Sequence, residues 1–364
     1  MTQPIKGRGS SGYLPGRFER TVSTAVDDGW WQGEDEAFAP QNPRTQVTEE
    51  RARSIITRNQ SPDLPFAQSL NPYRGCEHGC SYCFARPSHA YLNLSPGLDF
   101  ETRLFAKTNA PELLRRELAR PGYSPSPIAL GINTDAYQPI ERRLQLTRRL
   151  IEVLWEARHP FTLITKNALI VRDLDLLAAL ASEGLVHVYI SVTTLDSRLS
   201  ARLEPRAAAP HARLRAMRTL HEAGVPVGAM FAPVIPWIND PELEAVLRAV
   251  ADAGASSAGY VVLRLPREVA PLFRDWLQAH YPQRAVHVMS TIQQLRGGKD
   301  YDSRFGSRFS GEGVYADLLA RRFALALKHS GLAHRGWPPL DTAKFRRPEP
   351  PPQVRFASPQ GELF

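Results

Sequence analysis

From Phe66 onward the chain alternates between two patterns of apolar and polar positions. Short runs rich in Val, Ile, Leu and Phe occupy residues 67–73, 128–132, 161–165, 186–192, 227–231 and 260–265, and each predicts a buried strand. Between and after them, apolar residues recur every three or four positions over 110–120, 141–158, 173–182, 211–223, 240–253 and 267–279, the period of amphipathic helices. Gly184, Gly224 and Gly254 stand just past three of these helices, where a left-handed residue closes the last turn. Six strand–helix units predict a parallel sheet with right-handed crossovers, in the α/β class. That is two units short of a closed eight-fold barrel. The expected architecture is therefore a partial (β/α)6 TIM-like barrel, with its chemistry on the loops leaving the C-terminal strand ends.

The flanks follow other rules. Residues 1–60 are polar, rich in Gly, Pro, Arg and Asp, and lack a sustained period, which predicts an irregular N-terminal arm before a barrel spanning 61–285. Trp30 and Trp31 within it can pin the arm to its own domain or stack on bases; the pin is favoured, because each ring buries a large area. A C-terminal extension over 286–335 is expected to hold a short strand at 286–288, a Gly-rich basic loop at 295–313 and a closing helix at 314–329. Arg296, Lys299, Arg304 and Arg308 in that loop are candidates for holding phosphates or forming a lid, against the reading of an ordinary solvated loop. The proline-rich tail over 336–364 is expected to be extended and mobile.

With 364 residues, 43% of them apolar, the chain can bury a full core. Its 45 Lys and Arg against 37 Asp and Glu give a formal charge of +8, so its surface attracts anions, nucleic acid among them. An Arg-rich composition arising for other reasons gives the same number. No stretch approaches the roughly 20 apolar residues of a membrane span, and the N-terminus lacks the apolar core of a signal peptide. A cytoplasmic protein is expected.

Composition places all three cysteines on one loop. Cys76, Cys80 and Cys83 lie within the run from Asn71 to Tyr91, NPYRGCEHGCSYCFARPSHAY, directly after the first predicted strand. Thiolates this close repel unless a shared cation neutralises them. An iron–sulfur cubane is normally held by four cysteines, so three leave one iron open to a small molecule. Gly75 and Gly79 let the backbone bend around such a cluster, and Tyr82 and Phe84 flank the last cysteine. A closed structural zinc site would need a fourth ligand, for which His78 and His89 are the local candidates, in a spacing that matches no common zinc pattern. His78 is expected to serve a supporting role and not to bind metal. At the other strand ends stand Asn133, Thr134 and Asp135, then Thr165 and Lys166, then Ser191 and Thr193, followed by Glu204 and Arg206. This mixture of carboxylates, cation, hydroxyls and amide suits an amino acid's ammonium and carboxylate together with a ribose, although strand ends also carry ordinary polar turns.

The C-x3-C-x2-C spacing resembles the signature of the radical S-adenosylmethionine (SAM) superfamily. TDAYQPIE, LITKNAL, ISVTTLD, LEPRA and APVIPWIND extend the resemblance, over about residues 54–332, to its spore photoproduct lyase-like branch. The resemblance implies a [4Fe–4S] cluster on Cys76, Cys80 and Cys83, with SAM chelating the open iron. Reductive cleavage to a 5′-deoxyadenosyl radical would then allow hydrogen abstraction from a substrate. It implies cofactor contacts from Phe84, Thr134, Asp135, Lys166, Ser191 and Glu204, and an electron donor such as flavodoxin or ferredoxin. The superfamily's common GGE stretch is replaced here by NTD, as in this branch. Spore photoproduct lyase uses a further cysteine on its second strand as hydrogen donor, whereas Ile132 and Asn133 occupy the comparable positions here. With all three thiols committed to the cluster, a thiol donor and an auxiliary cysteine-ligated cluster are both excluded.

The last five residues, QGELF, resemble the short peptide that binds bacterial sliding clamps: Gln360, Leu363 and Phe364 match, and Gly361 and Glu362 depart from the pattern. The leading expectation is a radical SAM enzyme acting on an unidentified substrate, nucleic acid first and a peptide or small metabolite second. A non-catalytic module stapled by zinc or an iron–sulfur cluster is the alternative of a different class. Tyr73, Tyr82 and Tyr137 are conceivable radical relays, with packing the commoner role for such residues.

Overall fold

The computed structural model describes residues 5–18, 43–332 and 337–349. Its strands are β1 (Gln46–Glu50), β2 (Ile56–Arg58), β3 (Gln68–Leu70), β4 (Tyr73–Arg74), β5 (Arg103–Lys107), β6 (Ile128–Leu130), β7 (Phe161–Thr165), β8 (Val186–Ser191), β9 (Val227–Val234) and β10 (Ser257–Val262). A seven-stranded sheet runs in the order β10-β9-β8-β7-β6-β3-β2. Its strands from β3 to β10 are parallel, with β2 added antiparallel at one edge. The six predicted strands are thus present in chain order in an open sheet. The last begins earlier than expected, at Ser257, because Ser257 to Tyr260 pair with Gly228 to Phe231 of β9.

The helices are α1 (Asp99–Thr102), α2 (Ala110–Leu118), α3 (Glu141–Leu144), α4 (Leu146–Glu156), α5 (Leu174–Ser182), α6 (Ser197–Leu203), α7 (Pro210–Glu222), α8 (Leu243–Asp252), α9 (Val269–His280), α10 (Pro282–Gln294) and α11 (Val314–His329). They follow from the apolar period: α8 buries Leu243, Val246, Leu247 and Val250, and α4 buries Leu146, Leu150, Ile151, Val153 and Leu154. Apart from Leu146, which packs in a smaller cluster with Tyr73, Leu104, Ala106 and Ile140, these side chains pack with Ile128, Leu130, Phe161, Leu163, Val188 and Ile190 of the sheet in one core. Gly184, Gly224 and Gly254 have φ of 70°, 77° and 92°, as helix ends require.

Four expectations need correction. The helix over 141–158 is two helices, broken at Gln145 with φ 50°, because the Glu141 carboxylate turns inward to take the Thr147 amide at 3.1 Å and the Tyr73 hydroxyl. Residues 286–288 lie in α10, not in a strand; Val288, Met289 and Ile292 are buried while Val286 is 83% exposed, a helical spacing. The arm before residue 60 contains β1 and β2, and β1 pairs with β5 in a second sheet of order β1-β5-β4. The tail is docked over 337–349. Trp337 packs on His187 at 4.5 Å and Tyr189 at 5.3 Å, and Phe345 packs on Tyr123 and His159 at 5.6 and 5.5 Å. Trp30, Trp31 and the final QGELF lie outside the described residues. Among the described residues no helix is long and apolar enough to cross a membrane.

Candidate active site

The cysteine loop begins two residues after β4 and is held by buried polar groups. Gly75 and Gly79 have φ of 75° and 65°; a Cβ on Gly75 would lie 2.7 Å from Leu104 and 2.9 Å from His89, so the turn needs glycine. Cys76 N donates to Phe100 O at 2.9 Å, and Ser81 N donates to Leu203 O at 3.0 Å. Gln138 clamps the loop from both sides, donating to Gly75 O at 3.1 Å and accepting from Glu77 N at 2.9 Å.

Arg86 fixes the loop's far side. Nε donates to Cys80 O at 2.9 Å, Nη1 to Gly97 O at 2.9 Å and Pro96 O at 3.1 Å, and Nη2 to Glu101 at 2.5 Å. Neither Arg86 nor Glu101 has exposed surface. The N-terminal residues close over the same loop. Glu101 accepts Gly9 N at 3.0 Å, and a Cβ on Gly9 would fall 1.6 Å from Gly79 O. Farther along, Arg17 pairs with Glu268 at 2.9 Å.

Cys76 and Cys80 are buried and Cys83 is half-buried. Burial raises all three thiol pKa values; the neighbouring Asp135 and the other thiols add to this at Cys76, and Glu204 adds to it at Cys80, while Arg86 and Lys166 oppose it at Cys83. Metal binding is what converts such thiols to thiolates. Among the described residues no three His, Cys, Asp or Glu side chains form a group that could hold a single ion. A cubane takes one thiolate per iron, so its ligands need not meet at one point, and three neighbouring buried thiols on a glycine-bent loop fit that donor set. The two histidines have other partners: His78 Nδ1 lies 3.4 Å from Asp135 and its Nε2 3.3 Å from Asn167 Nδ2, and His89 Nε2 is 2.9 Å from Arg103 O.

The residues predicted at the other strand ends gather around this loop. Asp135 accepts from Thr165 Oγ1 at 2.7 Å, Lys166 N at 2.7 Å and Tyr137 N at 2.8 Å. Burial works to raise its pKa, but His78 and these donors hold it down at about 2. Glu204 accepts from Thr193 Oγ1 at 2.6 Å and also from the Tyr82 hydroxyl and Arg213. Its burial is likewise outweighed, by Arg213 first and then Lys166, leaving a pKa of about 2. Arg213 Nη1 also donates to Ser191 O at 3.0 Å, which ties the end of β8 to Glu204. Thr134 donates to Tyr73 O at 3.0 Å. The Lys166 ammonium acts on Cys80, Cys83 and Glu204 alike. Phe84 is 43% exposed beneath the Arg264 guanidinium, 5.4 Å from it.

Sequence reading found the cysteines and their charged neighbours but missed the residues that hold them. Arg86 was detectable as a charge three residues past Cys83 on an apolar stretch. Gln138 lay inside the quoted TDAYQPIE segment without a role, and Arg213, on the buried face of α7, carried no local signal. Of the candidate phosphate ligands in the 295–313 loop, Arg308 is spent on Asp63 at 2.6 Å, Arg304 on Asp302 at 2.6 Å, and Arg296 on backbone carbonyls.

Residues 70–250 match the family described as the radical SAM superfamily, and this stretch is a radical SAM domain. An uncharacterized protein of Mycobacterium tuberculosis strain H37Rv is 39% identical over 222 residues, covering 60% of this chain and 65% of that protein, just under two thirds of the relative's length. An uncharacterized protein of Methanocaldococcus jannaschii is 24% identical over 242 residues, covering 66% of this chain and 86% of its own. Among solved structures, spore photoproduct lyase complexed with dinucleoside spore photoproduct superposes with a TM-score of 0.55 at 17% identity, covering 79% of this chain and 80% of that one; the likeness is one of fold.

Proposed function

We propose that the chain is a radical SAM enzyme in which Cys76, Cys80 and Cys83 hold a [4Fe–4S] cluster. The observation that carries this reading is the gathering of three buried thiols on one loop, after the first strand of an open six-stranded parallel array. When bound, the cluster and SAM supply a 5′-deoxyadenosyl radical able to take hydrogen from carbon, with electrons from a donor such as flavodoxin or ferredoxin.

The chain's own residues bind and orient. Lys166, whose ammonium acts on both Cys80 and Cys83 and to which no carboxylate hydrogen-bonds among the described residues, is the group we assign to the carboxylate of SAM. Asp135 holds the Lys166 backbone, and Glu204 holds the Tyr82 ring beside Cys80. Both carboxylates are occupied by protein donors, so they act as positioning residues. Arg213 sets Ser191, and Thr134 and Phe84 complete the rim.

The substrate class we favour is nucleic acid. The +8 charge supports it, as does the fold shared with an enzyme solved with a dinucleoside ligand. No cysteine remains as hydrogen donor, so the product differs from that of a thiol-quenched repair. The deciding experiment is electron paramagnetic resonance of anaerobically reconstituted, dithionite-reduced protein. A [4Fe–4S]+ signal that changes shape on adding SAM is expected. A signal indifferent to SAM, or no cluster, sinks the proposal.

A further inference from the structure

Beyond the cysteine loop, Arg264, just after β10, is a half-buried cation with no carboxylate hydrogen-bonded to it among the described residues. The backbone before it is fixed by Arg296, which donates to Leu263 O at 3.0 Å. The Arg264 guanidinium lies over three rings, 4.8 Å from Phe309, 5.4 Å from Phe84 and 5.7 Å from Tyr301. One nitrogen donates to the Tyr301 hydroxyl at 3.1 Å, but Nε is buried and has no acceptor. Arg296 Nε beside it is orphaned in the same way. Among the described residues no carboxylate hydrogen-bonds to either guanidinium, although their neighbours Arg304 and Arg308 both have acidic partners.

Arg296 is buried, with Asp302 and Glu312 acting on its charge, whereas Arg264 is only half-buried; an anion at the accessible edge of Arg264 offsets its repulsion with Arg296. The surroundings narrow the kind of anion. Phe84 is 43% and Phe305 59% exposed, and Arg308 lies 4.9 Å from Phe305 and 4.8 Å from Phe309. Flat apolar faces therefore alternate with guanidinium groups along a surface that starts one residue past Cys83. A lone carboxylate would satisfy the cations and leave the rings bare.

We propose that Arg264, with Phe84 and the 301–309 loop, docks a nucleotide unit of a nucleic acid strand, the guanidinium taking a phosphate oxygen and an exposed ring stacking on a base. This rests on the reading of nucleic acid as substrate and adds where the strand lies.

The test is fluorescence anisotropy of short labelled single-stranded DNA and RNA with the cluster-loaded protein, at two salt concentrations, comparing wild type with Arg264→Gln and Phe84→Leu. At least one strand is expected to bind, both substitutions to weaken it by about five-fold or more, and Arg264→Gln to lower the salt slope by about one phosphate contact. Arg264→Gln should retain the cluster's visible absorbance; if that variant does not fold, Arg264→Lys keeps the charge, loses the planar fork and should bind with intermediate affinity. A strand bound equally by wild type and variants would overturn the site while leaving nucleic acid as substrate. A wild type that binds neither strand would overturn both, with the SAM response of the cluster still intact.

Discussion

The guanidinium of Arg86 reaches the carbonyl of Cys80 at 2.9 Å, tying the middle cysteine to a fully buried cation whose charge Glu101 balances. Removing one member of a buried pair strands the other charge, at a cost of about 3–5 kcal/mol. Arg86→Met should therefore lower the unfolding free energy in denaturant by that order and reduce iron per chain. An Arg86→Met protein with wild-type stability and iron content would show that the loop is held by other contacts.

On the proposed function, replacing any one of Cys76, Cys80 and Cys83 with alanine would remove a ligand from the cluster while leaving the sheet core untouched. Iron content and the SAM-responsive resonance signal should disappear, while far-ultraviolet circular dichroism stays near wild type. Loss of the whole fold in Cys80→Ala would favour a structural staple over a reaction site.

The role proposed for Lys166 concerns the cofactor more than the metal. A charge-assisted hydrogen bond is worth about 1.5–3 kcal/mol, so Lys166→Met should weaken SAM binding roughly 10- to 100-fold with iron content unchanged. Equilibrium dialysis with labelled SAM checks this, and an unaltered affinity would remove Lys166 from the cofactor site.

The contact between Gly9 and Gly79 leaves no room for a side chain, since a Cβ on Gly9 would fall 1.6 Å from Gly79 O. Gly9→Val should lift the N-terminal segment from the loop, costing about 1–3 kcal/mol as overpacking does. Iron release to a chelator should quicken several-fold. An unchanged release rate would mean the segment does not shield the cluster.

Acid should act at the opposite side of the sheet. His159 is buried and held neutral, its pKa lowered by burial to about 4, against about 6.5 in an unfolded chain. The folded state therefore binds fewer protons than the unfolded state between those values, and stability falls as pH drops from about 6.5 toward 4. The loss is on the order of 3 kcal/mol at most. His159→Gln should flatten this part of the melting-temperature profile; identical slopes in the two proteins would exclude His159 as the source.

Legibility in the sequence followed the range of the interactions. The strands at 161–165 and 186–191 and the helix at 314–329 were legible because periodicity is local, and the grouping of the three thiols because they lie within eight residues. The break at Gln145 was not, because it depends on Glu141 meeting Tyr73 from 68 positions away. Arg213 was missed for the same reason, since its partner Ser191 becomes a neighbour only in the folded chain; Arg86 stood out as a charge beside the cysteines, but its pairing with Glu101 did not. The docked tail looked mobile from its prolines, because the ring faces of His187 and Tyr189 that hold Trp337 are strand residues with no local signal of a vacancy.

The loop's two approaches belong to different sheets. Leu70 is in register with Leu130 of the large parallel sheet, and three residues later Tyr73 is in register with Ala106 of the small one. The cysteines are therefore surveyed from two independent baselines, and a slip of one residue in either pairing would turn the intervening side chains to the opposite face and misplace all three thiols. The small sheet, which adds no strand to the large parallel one, is in this sense half of the instrument that sets where the three thiols stand.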